Sequence, residues 1–439
     1  MRDGTAIHSK NDILKFFHKA AVPKNDLLIG LEVERSGVFD ANLSPVQYAG
    51  TSGYLAILKK LVEEVGWNII NQDENGNIRA LKRGGEIHIE FDGRLELVSK
   101  PRKGIFSLCR EYQMHAREID EISKEFGIRW ISMGWQPFAK NKEIDFAFPK
   151  EFRSECNHFT KQYPSWNKKK HAGWHKKNNG IHVNFGYTSE KDAIEKFQTL
   201  LKIAPILSAM FANSPLNAGR SAGFLMNRPR ATFELCPEKT QIQKLFLEED
   251  FSFEKWIDVL LNLPMRRIER EDDQIFVPLS FKDFLKNGFE KYSPRLEDFY
   301  LHIKSVWNEV RIKHYLEYRG FDTVPPHLVP SMPAIIRAVT LDSDVMKECQ
   351  SLVKNWTFAD QLEMREKVYK NALQAETPGG GKVLDLAKEL LNIASFSLQG
   401  RHTEMKRKVD ASRFLWPIKE YILVREQSPA EYVMEQWNG

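Results

Sequence analysis

The chain has 439 residues, enough for a large buried core and, at about 150 residues per domain, for two or three domains or one large one. Its 64 Lys and Arg against 59 Asp and Glu leave a net charge of +5, too mild to indicate a nucleic-acid partner without a clustered patch. No apolar run approaches the roughly 20 residues that cross a bilayer, and the first residues lack the basic, apolar, small-residue order of a signal peptide. The four cysteines (Cys109, Cys156, Cys236, Cys349) form no Cys-x-x-Cys pair, so the expectation is a soluble, cytoplasmic protein with reduced thiols and no membrane partner.

In chain order, residues 27–36 (LLIGLEVERS) alternate as a strand does, and 54–65 (YLAILKKLVEEV) repeat apolar residues at helical spacing. Short extended runs follow at 67–70 and 78–81, then IHIEFDGRLELVS at 87–99, then a long helix from Ile105 to about Phe126. Residues 128–135 and 179–187 (NGIHVNFGY) read as strands, the second with Ile181, Val183 and Phe185 on one face. Between them, Lys168-Lys169-Lys170 and Lys176-Lys177 flank His171, Trp174 and His175. This basic stretch reads as a solvated loop able to meet phosphates. Ser189 and Asp192 predict a capping box opening a helix with Ile194, Phe197, Leu200 and Leu201, a candidate kink at Pro205 and an end near Asn213-Ser214-Pro215. RATFEL (230–235) alternates again and predicts a strand. VRIKHYLEYRG (310–320) is tidier as a strand than as a helix, with a helix-to-strand junction also open. From about 323 to 439 the chain is mainly helical, and Pro378-Gly379-Gly380-Gly381 is a linker into a helix at 383–397. Gly379-Gly380-Gly381-Lys382 lacks the spacing of a phosphate loop, and no spacing supports a Cys-His nucleophile pair.

Read as faces, the strands show a chemistry. Side chains alternate across a strand, so Ile87, Ile89, Phe91, Leu95 and Leu97 oppose His88, Glu90, Asp92, Arg94 and Glu96. Glu32 and Glu34 oppose Ile29, Leu31 and Val33 in the same way. Later strands add His182 and Asn184, then Arg228, Arg230, Thr232 and Glu234, then Arg311, Lys313, Tyr315, Glu317 and Arg319. A wet sheet face also alternates, but it usually mixes in Lys, Thr, Ser and Gln, whereas this one is dominated by Glu and Arg. Glutamates gathered on one concave face repel each other unless divalent cations sit among them. Magnesium takes oxygen ligands and is commonly shared between carboxylates and phosphates, and arginines supply forked donors for phosphate and carboxylate oxygens. Phosphoryl transfer uses that combination. A nucleotide-and-metal site is therefore preferred over a solvated face, with His88 and His182 each open as ligand or wet-face residue.

Several runs are shared with a known family. GLEVERSG (30–37) matches a Gly-x-Glu-x-Glu strand, and IEFDGRLELVSKP (89–101) matches a Leu-Glu-Pro-Gly-Gly-Gln-Phe-Glu-Leu-Ser run. MGWQP (133–137), ANSPLNAGRSAGFLMNR (212–228), EVRIKHYLEYRGFD (309–322) and SPAEYVMEQWNG (428–439) follow in family order. On these residues the chain resembles the glutamate-cysteine ligases of the plant and bacterial type, which make gamma-glutamylcysteine.

The resemblance implies an α+β fold similar to glutamine synthetase: a curved antiparallel sheet whose concave side is a funnel, with helices packed outside. It implies a single ATP-dependent carboxylate-amine ligase domain over 1–439, working as monomer or homodimer on glutamate, cysteine and ATP with two or more magnesium ions. Glu32, Glu34, Glu90, Glu96 and Glu317 become the metal carboxylates, with His182 beside them. Arg319, Arg311 and Lys313 face ATP phosphates, and Arg228, with Arg230, falls where the substrate glutamate is held. Arg319, Arg228 and Glu317 are then the catalytic group. Departures from the family are Asp92 and Arg94 in place of smaller or neutral residues, Pro229-Arg230 for a Ser-His pair, and His182 for a plant glutamine. Only Cys109 matches a plant regulatory cysteine. The departures leave the acceptor amine open, so a ligase of the same chemistry acting on another amine stands beside cysteine ligation. A non-catalytic nucleotide or amino-acid binding protein is the alternative of another class.

Overall fold

The alternation in residues 27–36 becomes the longest strand, β1 (Ile29–Phe39), in the middle of a nine-stranded sheet. The computed structural model describes residues 4–163, 165–270, 273–399, 403–404 and 409–437. Asn438 and Gly439 of the closing run lie outside the described residues. Strands β2 (Asn68–Gln72), β3 (Ile78–Arg83), β4 (Gly85–Ile89), β5 (Leu95–Val98), β6 (Ile128–Ile131), β7 (Gly180–Phe185), β8 (Val310–Ile312) and β9 (Leu316–Asp322) complete it. The order is β8-β9-β7-β1-β5-β4-β3-β2, with β6 also on β1, and every pairing is antiparallel.

One face of this sheet is the core. Ile29, Leu31 and Val33 of β1, Leu95 and Leu97 of β5, and Ile181 and Val183 of β7 are buried on it. Helices α2 (Tyr54–Lys60), α3 (Ile105–Glu125) and α6 (Glu190–Met210), with the later helix Ser331–Val339, pack against the sheet. The apolar cluster they form runs from Ile7 to Ala430. Because the side-chain period is two, a one-residue slip would turn this whole set outward, so burying one face fixes which residues occupy the other. Among the described residues no helix is long and apolar enough to cross a membrane.

Three local expectations are corrected. RATFEL is not a strand: residues Asn227–Phe233 form a helix, α7. Pro229 lies in its first turn, where a missing N–H is harmless, and Arg230 pairs with Glu234 four residues on, a helical spacing. The basic stretch is not a solvated loop but a helix, α5 (Lys168–Lys177), whose Asn167 cap accepts from the amides of Lys169 and Lys170. Its His171, Trp174 and His175 are buried, at the i, i+3, i+4 spacing of a helix face. Residues 310–320 are neither one strand nor a helix junction but a hairpin, in which the Lys313 amide donates to the Tyr315 carbonyl at 2.7 Å between β8 and β9. Pro205 lies inside α6 without ending it.

All four cysteines are free and buried, and burial pushes each thiol up to about 12. A thiolate is the reactive form, so a colorimetric disulfide reagent should titrate none of them in the folded protein within minutes and all four in denaturant. A fast-reacting thiol in the native protein would contradict this packing.

Candidate active site

The register of the sheet brings the polar side chains into rows. Glu34 of β1 lies opposite Glu96 of β5, and Glu96 opposite His88 of β4; Glu32 lies opposite His182 of β7. One step along, Asn184 faces Glu317, and Glu317 faces Arg311 across the terminal hairpin. The structure thus gathers most of the residues singled out by sequence on one face, although they come from strands up to nearly 300 positions apart.

Three arrangements share this face. In the first, ligand atoms of Glu32, Glu96 and His182 lie within 4.8 Å of one another. His182 Nδ1 is 2.9 Å from Glu32 Oε2, and Asn184 Nδ2 donates to Glu32 Oε1 at 2.6 Å. Burial favours the neutral form of His182. With Nδ1 donating to Glu32, its buried Nε2 holds a lone pair and has no hydrogen-bond partner. Glu96 takes no ion pair among the described residues, and burial followed by the charges of Glu32, Glu90 and Glu34 pushes its carboxyl well up.

In the second, Glu34, Glu90 and Glu96 approach within the same distance, but the oxygens of Glu34 are already taken. Arg94 donates to Oε1 at 3.2 Å, while the Gly180 amide and Asn178 donate to Oε2 at 2.5 and 3.1 Å. In the third, Glu317 is wholly buried and enclosed by cations. Arg311 Nε donates to it at 2.6 Å, Lys313 Nζ lies at 3.3 Å, and Arg319 donates to its other oxygen at 3.1 Å. These charges override the burial that would raise its carboxyl and hold it well below the usual range.

Arg311 spends most of its donors on the protein. Besides Glu317 it donates to the carbonyls of Lys304 and Val306 at 2.9 and 2.7 Å, so it anchors the hairpin. Arg228 enters not from a strand but from the start of α7, buried beneath Gly180. Its Nη2 donates to the Arg319 carbonyl at 3.2 Å and its Nε is unpartnered. A Cβ at Gly180 would collide with this guanidinium. Arg230 turns to its own helix: Nη1 and Nη2 donate to Glu234 and Asn227 at 2.8 and 3.0 Å, Nε has no partner, and the guanidinium lies over the Phe224 ring.

Beside the first cluster opens a cavity of about 1070 Å³ that reaches Glu32 and Asn184. Phe16, Leu28, Val98, His314 and Tyr315 give it apolar and aromatic walls, and Lys15, Lys19, Lys82 and Lys100 line it too. One wall is helix α1 (Lys10–Lys19), which the sequence reading left out. Its signal was present: Ser9 caps the helix by accepting from the Asp12 amide, and Ile13, Phe16 and Phe17 make its buried stripe. A further group, Glu155, His171 and His175, lies within 4.8 Å on α5 and its neighbour helix Pro149–Gln162. Arg266 pairs with that Glu155, so its charge is already compensated.

An antiparallel sheet with helices on one face and clustered carboxylates beside a nucleotide-sized cavity on the other is the fold of a ligase class. It superposes on the solved glutamate-cysteine ligase of Francisella tularensis in complex with AMP with a TM-score of 0.55, at 14% identity over 93% of this chain and 84% of that one. The chain belongs to glutamate-cysteine ligase family 2, whose model matches residues 28–436; it is a ligase of the family that forms gamma-glutamylcysteine, the first step of glutathione biosynthesis. Among curated proteins it is 28% identical over 437 residues to the chloroplastic glutamate-cysteine ligase of Medicago truncatula (98% of this chain, 82% of that one). It is 26% identical over 437 residues to that of Arabidopsis thaliana (98% and 80%). The expected cytoplasmic location is corrected here: these relatives are named chloroplastic, which points away from the cytoplasm.

The ion pairs around Glu317 predict unequal costs. Arg311→Met leaves a wholly buried carboxylate short of its main partner and should lower the unfolding free energy by roughly 3–5 kcal/mol. Arg319→Met, at a side chain 15% exposed with Arg311 and Lys313 still in place, should cost clearly less. Urea unfolding of both variants measures this, and equal losses would remove the anchoring role of Arg311.

Proposed function

We propose that the protein joins the gamma-carboxylate of L-glutamate to the amine of L-cysteine at the expense of ATP, with the nucleotide in the 1070 Å³ cavity and the reacting groups over the glutamate face. One observation carries this reading. Glu32 belongs both to the cavity lining and to the Glu32–Glu96–His182 cluster, so a nucleotide in the cavity would bring its phosphates to the carboxylates. Phe16, His314 and Tyr315 offer rings to a base, and the cavity's lysines offer charge to phosphates. AMP in the Francisella ligase supports a nucleotide here.

The residues also fit magnesium. Glu96 is an unpaired carboxylate among others, His182 Nε2 is a buried lone pair without a partner, and hard oxygen donors predominate. Glu32, Glu96 and His182 would hold the ion, with Glu90 next to them; Glu34 and Glu317 act through the protein cations that they bind. Magnesium bound there supplies positive charge to phosphate oxygens.

In the reaction, an oxygen of the glutamate gamma-carboxylate attacks the terminal phosphorus of ATP and ADP leaves. The cysteine amine then attacks the acyl carbon of the gamma-glutamyl phosphate, inorganic phosphate leaves, and the amine loses a proton. No enzyme nucleophile is required, in keeping with the buried thiols. Arg319, 3.5 Å from His182, and Lys313, both paired with Glu317, would balance charge moving onto phosphate oxygens held at the cluster. Arg228 is suited to the substrate carboxylate because its Nε is buried and unpartnered, and a guanidinium fork matches a carboxylate. We read the chain as one catalytic unit, since one large apolar cluster draws on residues from Ile7 to Ala430.

The test is phosphate release from ATP and magnesium across amino-acid pairs, with glutamate plus cysteine expected as the productive pair. Glu32→Ala and Glu96→Ala should each lower turnover by at least about a thousandfold, or roughly 4 kcal/mol, while the circular dichroism stays native. Near-normal turnover in both would remove the carboxylate cluster from the chemistry. Arg228→Lys keeps the charge and loses the fork, and should raise the KM for glutamate about tenfold or more while the KM for ATP moves little. The reverse pattern would place Arg228 on the nucleotide.

A further inference from the structure

We propose that Arg94 is a built-in cation: its guanidinium holds the seat between Glu34 and Glu90 that a divalent ion would otherwise take, so the site gathers one ion fewer than its carboxylates invite. The inference rests on the metal reading of the glutamate face.

The seat itself is real in geometry, since oxygens of Glu34, Glu90 and Glu96 come within 4.8 Å of one another. Arg94 Nη2 lies 3.2 Å from Glu34 and 3.7 Å from Glu90. Its Nη1 donates to Asp92 Oδ1 and to the His175 carbonyl, both at 2.7 Å. The side chain is 2% exposed, so this is no solvated ion pair that rearranges freely. The backbone aims it: Glu90 and Arg94 close the β4–β5 turn, with the Glu90 amide donating to the Arg94 carbonyl at 3.1 Å and Gly93 at φ +90°.

A divalent ion bound to the same two carboxylates would sit about 2.0–2.6 Å from their oxygens, against a guanidinium whose charge cannot be removed by deprotonation. The two cations exclude each other. Glu32, Glu96 and His182, farther along the face, remain for metal. Arg94 thus converts one exchangeable cation into a permanent one and makes part of the site's charge balance independent of metal supply.

The experiment counts Mn2+ bound by the full chain from the electron paramagnetic resonance signal of the free ion, without ATP or amino acids. R94Q is expected to bind one more Mn2+ per chain than the unaltered protein, and R94K the same number as the unaltered protein. An equal or lower count in R94Q, or no bound ion in either protein, overturns the proposal. Should R94Q be too unstable for this count, its melting temperature is followed as Mg2+ is added. A rise larger than that of the unaltered protein supports the replaced cation, and an equal shift or none overturns it. Since no substrate is present, lack of ligase activity would bear on the proposed function and not on this count.

Discussion

Like charges crowded on one side of a sheet are the constraint on which this molecule turns. Glu32, Glu34, Glu90, Glu96 and Glu317 cannot spread into water, because the strands that carry them are fixed by Ile29, Leu31, Val33, Leu95, Leu97, Ile181 and Val183 on the reverse. Apolar burial supplies the driving force, and the carboxylates accept the positions it leaves. Each must then find positive charge or a donor, since an uncompensated buried ion is costly. The solutions differ along the face: three cations around Glu317, a guanidinium and two donors on Glu34, a histidine and an amide on Glu32, and, among the described residues, no ion-pair partner on Glu96. The gradient from fully satisfied to unsatisfied carboxylate runs within one sheet.

The same gradient separates residues that hold the site from residues that have capacity left over. Arg311, with its carbonyl and carboxylate partners, is a brace. Arg228 and His182 each keep a buried nitrogen without a partner, a condition folded proteins tolerate at places prepared for something else. Gly180 contributes by what it lacks, since any side chain there would occupy the space of the Arg228 guanidinium.

The inward and outward sets of β1 and β7 were legible because a two-residue period needs no knowledge of partners, whereas 87–99, read as one strand, is the hairpin β4–β5, whose facing residues share a side as alternate residues do. Residues 105–126 were legible as a helix for the analogous reason. What failed were segments whose pattern supports two periods. RATFEL alternates, but its Arg230–Glu234 pair and the early Pro229 are helical features, and in seven residues the helix prevails. The stretch from Lys168 to Lys177 hid three buried aromatic side chains among lysines that a charge count weighs more heavily. The hairpin at 310–322 kept Arg311, Lys313, Glu317 and Arg319 together, as the single-strand reading had them, because residues facing each other across a hairpin share a side as alternate residues on one strand do. What no period could reveal is the commitment of each group: that Arg311 braces a hairpin, that Arg230 faces its own helix, and that Arg94 lies between two glutamates are facts of three-dimensional neighbourhood.

Helix α1 closes one side of the cavity with Asp12, Lys15, Phe16 and Lys19, and Thr5 and Ala6 continue along its rim. The backbone there is tied down by a bridge between Ala6 and Arg295, so Thr5 and Ala6 run along the mouth. Any sequence joined ahead of Thr5 in the laboratory leaves the fold at the doorway through which a nucleotide would pass. An affinity handle at that end would shade the entrance and distort measured substrate constants.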